Sequence, residues 1–162
     1  SITGIDLSEK MLEIARIKAA RVETRVRLSF AQGDAEHLPF PDGAFDLVTV
    51  AFGVRNFEDL PGGLAEMMRV LRKGGTLMIL EFSHPDKRPL RQLYNAYSRL
   101  FIPLAGRMIS GHRGAYRYLP ESVRAFPSGK NFLKILEETG MTRGSMLPLT
   151  GGIATIYSAE KP

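Results

Sequence analysis

Two stretches constrain this chain more than any others: Phe45 to Phe52 and Thr76 to Phe82 are apolar at nearly every position. Uninterrupted apolarity over that length suits a strand buried on both faces, the situation inside a parallel sheet covered by helices. The stretches around them agree. Ile2 to Leu7 is a short apolar strand pattern closing on Gly4-Ile5-Asp6. Ser8 is placed to cap a helix, and behind it Met11, Leu12, Ala15, Ala19 and Val22 share one face at helical spacing, which predicts a helix over 9–22. Val26 to Ala31 reads as a second strand ending at Gln32-Gly33-Asp34. Leu38-Pro39-Phe40-Pro41-Asp42-Gly43 reads as a loop. Leu64, Met68 and Leu71 mark the core face of a helix over about 61–72, with Pro61 in its first turn and Gly74-Gly75 beyond its end. Such an alternation of strand and helix predicts an α/β fold with a mostly parallel sheet.

From Pro89 the pattern changes. Helical pieces rich in Tyr and Arg are expected at 89–110, 120–125 and 129–139. Met141–Leu149 and Ile153–Glu160 then read as antiparallel strands linked at Gly151-Gly152. Nothing divides the chain, so 1–162 is expected to be one domain: a core over 1–83, a helical basic segment over 84–130, and a last helix with its strand pair over 131–162.

The net charge of +5 sits in that middle segment. Nine Lys and Arg residues lie between His84 and Lys130, opposed only by Asp86 and Glu121, which points to a partner surface. With no cysteine the chain has neither disulfides nor thiolate metal sites, which fits a reducing cytoplasm. His37, His84 and His112 lack metal-ligand spacing, so no metal site is expected.

Ligands of open α/β sheets gather at the carboxyl ends of the strands. Asp6 ends the first strand, where a carboxylate can accept both hydroxyls of a ribose, or simply favour the following helix dipole. Asp34 ends the next, where it can take the exocyclic amine of adenine beside the backbone N–H of the small Ala35, or form an Asx-turn. Carboxylates at consecutive strand ends together favour a nucleoside site.

The series from Gly4 to Leu12, then Gly33-Asp34-Ala35-Glu36-His37-Leu38-Pro39-Phe40, Phe45-Asp46-Leu47-Val48 and Arg69-Val70-Leu71-Arg72-Lys73-Gly74-Gly75, resembles class I S-adenosylmethionine (SAM)-dependent methyltransferases. More specific stretches narrow the resemblance to the menaquinone/ubiquinone-biosynthesis C-methyltransferase family: Ala51 to Phe57, Leu80 to Pro85, Tyr94 to Ser98, Tyr116 to Val123 and Leu149 to Ala154. The resemblance implies a Rossmann-like fold and methyl transfer from SAM to a ring carbon of a reduced, demethylated isoprenoid quinone. It implies SAM contacts at Asp6 (ribose), Asp34 and Ala35 (adenine), and Ala51. That last position is often serine in the family, so here only its backbone is available. The strand and glycine-rich loop that usually open such a fold have no counterpart, and the expectation is that they are missing from the front of this chain. The unpaired edges this leaves predict a homodimer or an inactive fragment of a longer enzyme. Methylation of another small molecule is the alternative activity.

For the acceptor, Arg55 is the first candidate for holding a developing oxyanion, its alternative being an ion pair with Glu58, Asp59 or another carboxylate. Asn56 either orients substrate or caps a turn. Glu81 is a candidate general base, or a buried structural carboxylate. Tyr97 and Tyr118 can bond quinol oxygens or pack inward. Residues 84–130 are expected to form the lid and substrate segment and to touch the inner face of the membrane, the source of the quinol, peripherally. RNA binding is the rival for that basic surface, disfavoured because no RNA-binding motif accompanies the charge.

Overall fold

The structure, a computed structural model, describes residues 1–85, 92 and 113–162, with residues 113–117 described as backbone only. Strand β1 (Ile2–Asp6) leads into α1 (Glu9–Ala19), then β2 (Leu28–Gln32) and β3 (Phe45–Ala51). A single helical turn at Val54–Asn56 precedes α2 (Leu60–Val70) and β4 (Leu71–Phe82). Then come α3 (Arg113–Ala125), α4 (Lys130–Glu138), β5 (Thr142–Leu149) and β6 (Ala154–Glu160).

The parallel strands divide between two sheets. β1 pairs with β2, and the larger sheet runs β3-β4-β6-β5. β3 and β4 are parallel, while β6 lies antiparallel to both β4 and β5, as the Gly151-Gly152 link predicts. Among the described residues β3 pairs with β4 alone, and the burial expected on both of its faces is not reached: Leu47 is half-exposed. The helix α1 shows the same effect. Ser8 caps it as expected, its Oγ accepting from the Met11 N–H, but Leu12 alone is buried while Met11 and Ile17 remain exposed. Val22 falls beyond the helix end at Ala20 and is exposed too. A two-stranded sheet offers too narrow a face to cover the whole apolar stripe.

The core lies where α2 and α4 cover β4 and β6. Leu64 and Met67 of α2, Leu77 and Ile79 of β4, Phe132 and Leu136 of α4, and Tyr157 of β6 are all buried there. Burying each such aliphatic side chain contributes about 1.5–3 kcal/mol. Aromatic contacts join the layers: Phe132 meets Phe126 at 4.9 Å and Tyr157, edge-on, at 4.7 Å. Strand alternation puts Glu81 on the same face of β4 as Leu77 and Ile79, where it is fully buried.

Besides the end of α1 and the start of β2, two helix boundaries differ from expectation. α2 stops at Val70, before the glycines, because Leu71 is already extended (φ −71°, ψ 140°). Lys161 supplies the stop instead: its Nζ donates to the carbonyls of Arg69 and Leu71 at 3.1 and 2.7 Å. The helix expected from Pro120 is already formed at Arg113, with Pro120 in its interior. A proline tolerates a first turn best, and that preference misplaced the start.

The loop 38–43 hangs on Arg69. Its guanidinium donates to the carbonyls of Leu38 (3.0 Å) and Phe40 (2.8 Å), to Asp42 (2.7 Å), and to Glu66 (2.7 Å). Those bonds from Arg69, with help from the Leu38 N–H, hold the Glu66 carboxyl below its ordinary range. A depressed carboxyl stabilises the fold above its unfolded value and loses that contribution as the pH drops through the folded one. Stability should therefore fall as the pH passes below 4.5. Glu66→Gln should flatten that dependence in urea unfolding midpoints measured between neutral and acidic pH.

Candidate functional site

Asp6 and Asp34 follow the carboxyl ends of β1 and β2, which pair in register with Asp6 opposite Gln32. The chain turns between them so that the Gly33 N–H donates to the Asp6 carbonyl at 3.2 Å. Each carboxylate spends one oxygen locally: Asp6 Oδ1 accepts from the Ser8 N–H (2.8 Å) and Asp34 Oδ1 from the Glu36 N–H (2.9 Å). The Asx-turn expected as the alternative at Asp34 is thus formed, and Asp6 sits at the start of α1, where a carboxylate favours the helix dipole. Asp6 Oδ2 takes no hydrogen bond among the described residues and faces an exposed strand end, so a diol can still be accepted there. Ala35 packs partly against the core, and its side chain is only a methyl group. The residues present fit a nucleoside.

A second group forms where β3 ends. Ala51 is its last residue, and Phe52 adopts a left-handed backbone (φ 57°). That conformation costs a non-glycine residue roughly 1–2 kcal/mol, and such strain clusters at functional sites. The Phe52 N–H stays bonded to the Leu80 carbonyl, its own carbonyl accepts from Arg55 Nη1, and its ring lies 4.4 Å from Phe82. Arg55 then reaches across to β4. Its Nη1 donates to Glu81 Oε1 at 2.9 Å and its backbone N–H to Oε2 at 3.3 Å, while the guanidinium sits over the Phe82 ring at 5.4 Å. The Phe82 N–H completes the set on Glu81 Oε1 at 2.8 Å. The arginine's carboxylate partner is therefore Glu81, and not the nearby Glu58 or Asp59.

Candidates that the sequence treats separately are thus one unit. Asn56 joins it through α3: the Tyr118 hydroxyl donates to Asn56 Oδ1 at 2.9 Å. Tyr97 lies outside the described residues, as do most of the basic residues of 84–130.

Two features escaped the sequence. Glu36 accepts from the backbone N–H groups of Glu58 (2.8 Å) and Asp59 (3.1 Å), bolting the loop after β2 to the segment just beyond Arg55. No spacing rule joins residues that far apart. Phe52 looked like the end of a strand, and nothing in its side chain signals positive φ. Among the described residues no group of His, Asp and Glu is placed to hold a metal, and no helix is long and apolar enough to cross a membrane.

Carboxylates at the ends of two paired parallel strands are compatible with a nucleoside ligand, and solved structures identify the fold. A SAM-dependent methyltransferase from Aquifex aeolicus superposes with a TM-score of 0.68 at 19% identity, covering 100% of this chain and 69% of that one. The model of the ubiE/COQ5 methyltransferase family matches residues 1–161, and the chain belongs to that family. The demethylmenaquinone methyltransferase of Bacteroides fragilis is 42% identical over 99% of this chain and 65% of its own length. The protein of the same name from Thermus thermophilus is 45% identical over 99% of this chain and 72% of its own length. This chain thus spans about two thirds of the length of these curated relatives.

Proposed function

We propose that this chain carries the greater part of a SAM-dependent C-methyltransferase acting on a reduced, demethylated isoprenoid quinone in quinone biosynthesis. Membership of the ubiE/COQ5 family supports the class, and the names of the relatives support the substrate. The observation that carries the reading is the acceptor-side group, with Arg55 held at the end of β3 by a fully buried carboxylate.

Bound SAM supplies an electrophilic sulfonium methyl. Asp6 accepts its ribose hydroxyls, Asp34 its adenine amine, and the backbone at Ala35 and Ala51 lines the pocket. On the other side the quinol hydroxyl would lose its proton to solvent water, so negative charge would gather on that oxygen. The neighbouring ring carbon would then take the methyl as S-adenosylhomocysteine leaves, and would release its own hydrogen to water as the ring regains aromaticity. Arg55 stabilises that charge, and Tyr118 and Asn56 orient a quinol oxygen. Tyr97, which lies outside the described residues, is proposed on the family resemblance alone to bond a quinol oxygen. Holding the carbon in line with the methyl supplies the remaining rate. The basic segment 84–130 meets anionic headgroups at the cytoplasmic face of the membrane, where the quinol resides, and unpaired strand edges make a homodimer part of the proposal.

The test is transfer of label from SAM to chemically reduced demethylmenaquinone. Two proteins are compared: this chain, and this chain fused to the part of the Thermus thermophilus relative that lies outside the match. Labelled menaquinol is the expected product of the fusion. Intact SAM binding with no labelled quinone from either protein would move the substrate to another small molecule.

A further inference from the structure

Glu81 is the one acidic side chain among the described residues that is fully buried in the core face of β4, and every contact it makes is as an acceptor. It takes N–H groups from Arg55, twice, and from Phe82. Three of its roughly four acceptor sites are thereby filled, and its full burial keeps a substrate hydroxyl from the one that remains. Its effect on Arg55 is directional. A guanidinium has two side-by-side donor edges beyond its stem, and here Nη1 is taken by Glu81 and by the Phe52 carbonyl. The edge formed by Nε and Nη2 carries no hydrogen bond among the described residues, and Nε is buried without a partner. A buried N–H left open costs free energy, so a fold that keeps one calls for an explanation such as an acceptor that arrives with the ligand. The open edge is a planar fork, and it suits an anionic oxygen placed between its two N–H groups.

We propose that Glu81 is a positioning residue: it clamps Nη1 so that the Nε–Nη2 edge of Arg55 is presented to the phenolate oxygen of the substrate. This rests on the reading above that a quinol oxygen meets Arg55. It assigns Glu81 no proton transfer, in contrast with a general base.

The two roles order two substitutions oppositely. Glu81→Gln keeps the side-chain length and an amide oxygen for the Nη1 clamp. Glu81→Asp keeps the charge and basicity but withdraws the acceptor by a methylene. Positioning predicts that E81Q keeps turnover within roughly tenfold of the unaltered protein. It predicts that E81D loses about 100-fold, the effect of a misplaced group. The SAM dissociation constant and the thermal midpoint are measured alongside, to separate this from a general loss of structure. In an Arg55→Lys background, which has no fork to aim, E81Q should cost almost nothing further. E81D outperforming E81Q, with the acid limb of the pH–rate profile vanishing in E81Q, would overturn the proposal in favour of a base.

A second measurement needs no turnover. The fusion protein is saturated with 4-nitro-1-naphthol, whose phenolate is coloured, and its ionisation is followed by absorbance. Binding should lower the apparent ionisation pH of the phenol by roughly one unit. The shift should be lost in R55Q and in E81D and largely kept in E81Q. If this pattern holds while no quinol is methylated, the substrate reading fails and the role of Glu81 stands. An unshifted phenol in a protein that does methylate quinol refutes the role of Glu81 alone.

Discussion

Arg55→Lys is expected to lower the turnover of quinol methylation by ~10²–10³-fold, the loss typical of removing one preorganised donor to a developing oxyanion. Lysine keeps a positive charge beside Glu81 but offers a point charge where the guanidinium offers a planar fork, so the fold survives and the aim is lost. SAM affinity should stay within about twofold, because the side chains proposed to hold it, Asp6 and Asp34, lie at the ends of β1 and β2 and the lost interaction is made in the transition state. The contrast with Arg55→Ala is informative. Alanine leaves Glu81, which is 0% exposed, without its counter-charge. Stranding a buried charge in this way costs about 3–5 kcal/mol, so R55A should unfold at markedly lower denaturant as well as lose activity. Turnover by radiolabel and urea melts of both variants check the two halves. Unchanged turnover in R55K would remove Arg55 from the chemistry.

Phe132→Ala is expected to cost as much stability as R55A, and through packing alone. Phe132 is fully buried and touches rings from two directions, Phe126 and Tyr157, so it joins α4 to both its neighbouring loop and β6. Truncation removes the transfer energy of the ring and leaves a cavity that two flanking aromatics cannot fill, for a loss of about 3–5 kcal/mol. Domains of this kind are stable by only about 5–15 kcal/mol, so the variant should be partly unfolded at physiological temperature. Tyr157 is held by a further bond, its hydroxyl accepting from the Gly129 N–H at 2.6 Å, and that contact should loosen together with α4. Denaturant unfolding followed by far-UV circular dichroism measures the loss. A change below about 1 kcal/mol would mean that the core closes over the gap.

Much of the architecture was legible residue by residue. Ser8 and Pro61 mark the starts of α1 and α2 because capping and first-turn chemistry are local. The tight glycine link at 151–152 forces β5 and β6 to pair antiparallel, and the acids at Asp6 and Asp34 fall at strand ends. The family too was legible, since its motifs are contiguous runs of sequence. Burial was less so. The apolar run of β3 and the stripe on α1 predict cover that the two separate sheets do not give. Periodicity reports which face is apolar, and the number of neighbouring strands decides whether that face is covered.

The functional group divides along the same line. The sequence by itself determined that an arginine follows one buried strand and a glutamate ends the next, and that carboxylates close the first two. Only the tertiary structure decided that Arg55 and Glu81 are partners, that Tyr118 reaches Asn56, and that Glu36 ties the loop after β2 to the segment beyond Arg55. The physical reason is range. Capping, turns and periodicity act over a few residues, whereas a buried charge is satisfied by whichever donor the sheet pairing brings beside it. Parallel pairing of β3 with β4 sets Ala51 opposite Leu80, and that register delivers Arg55 to Glu81.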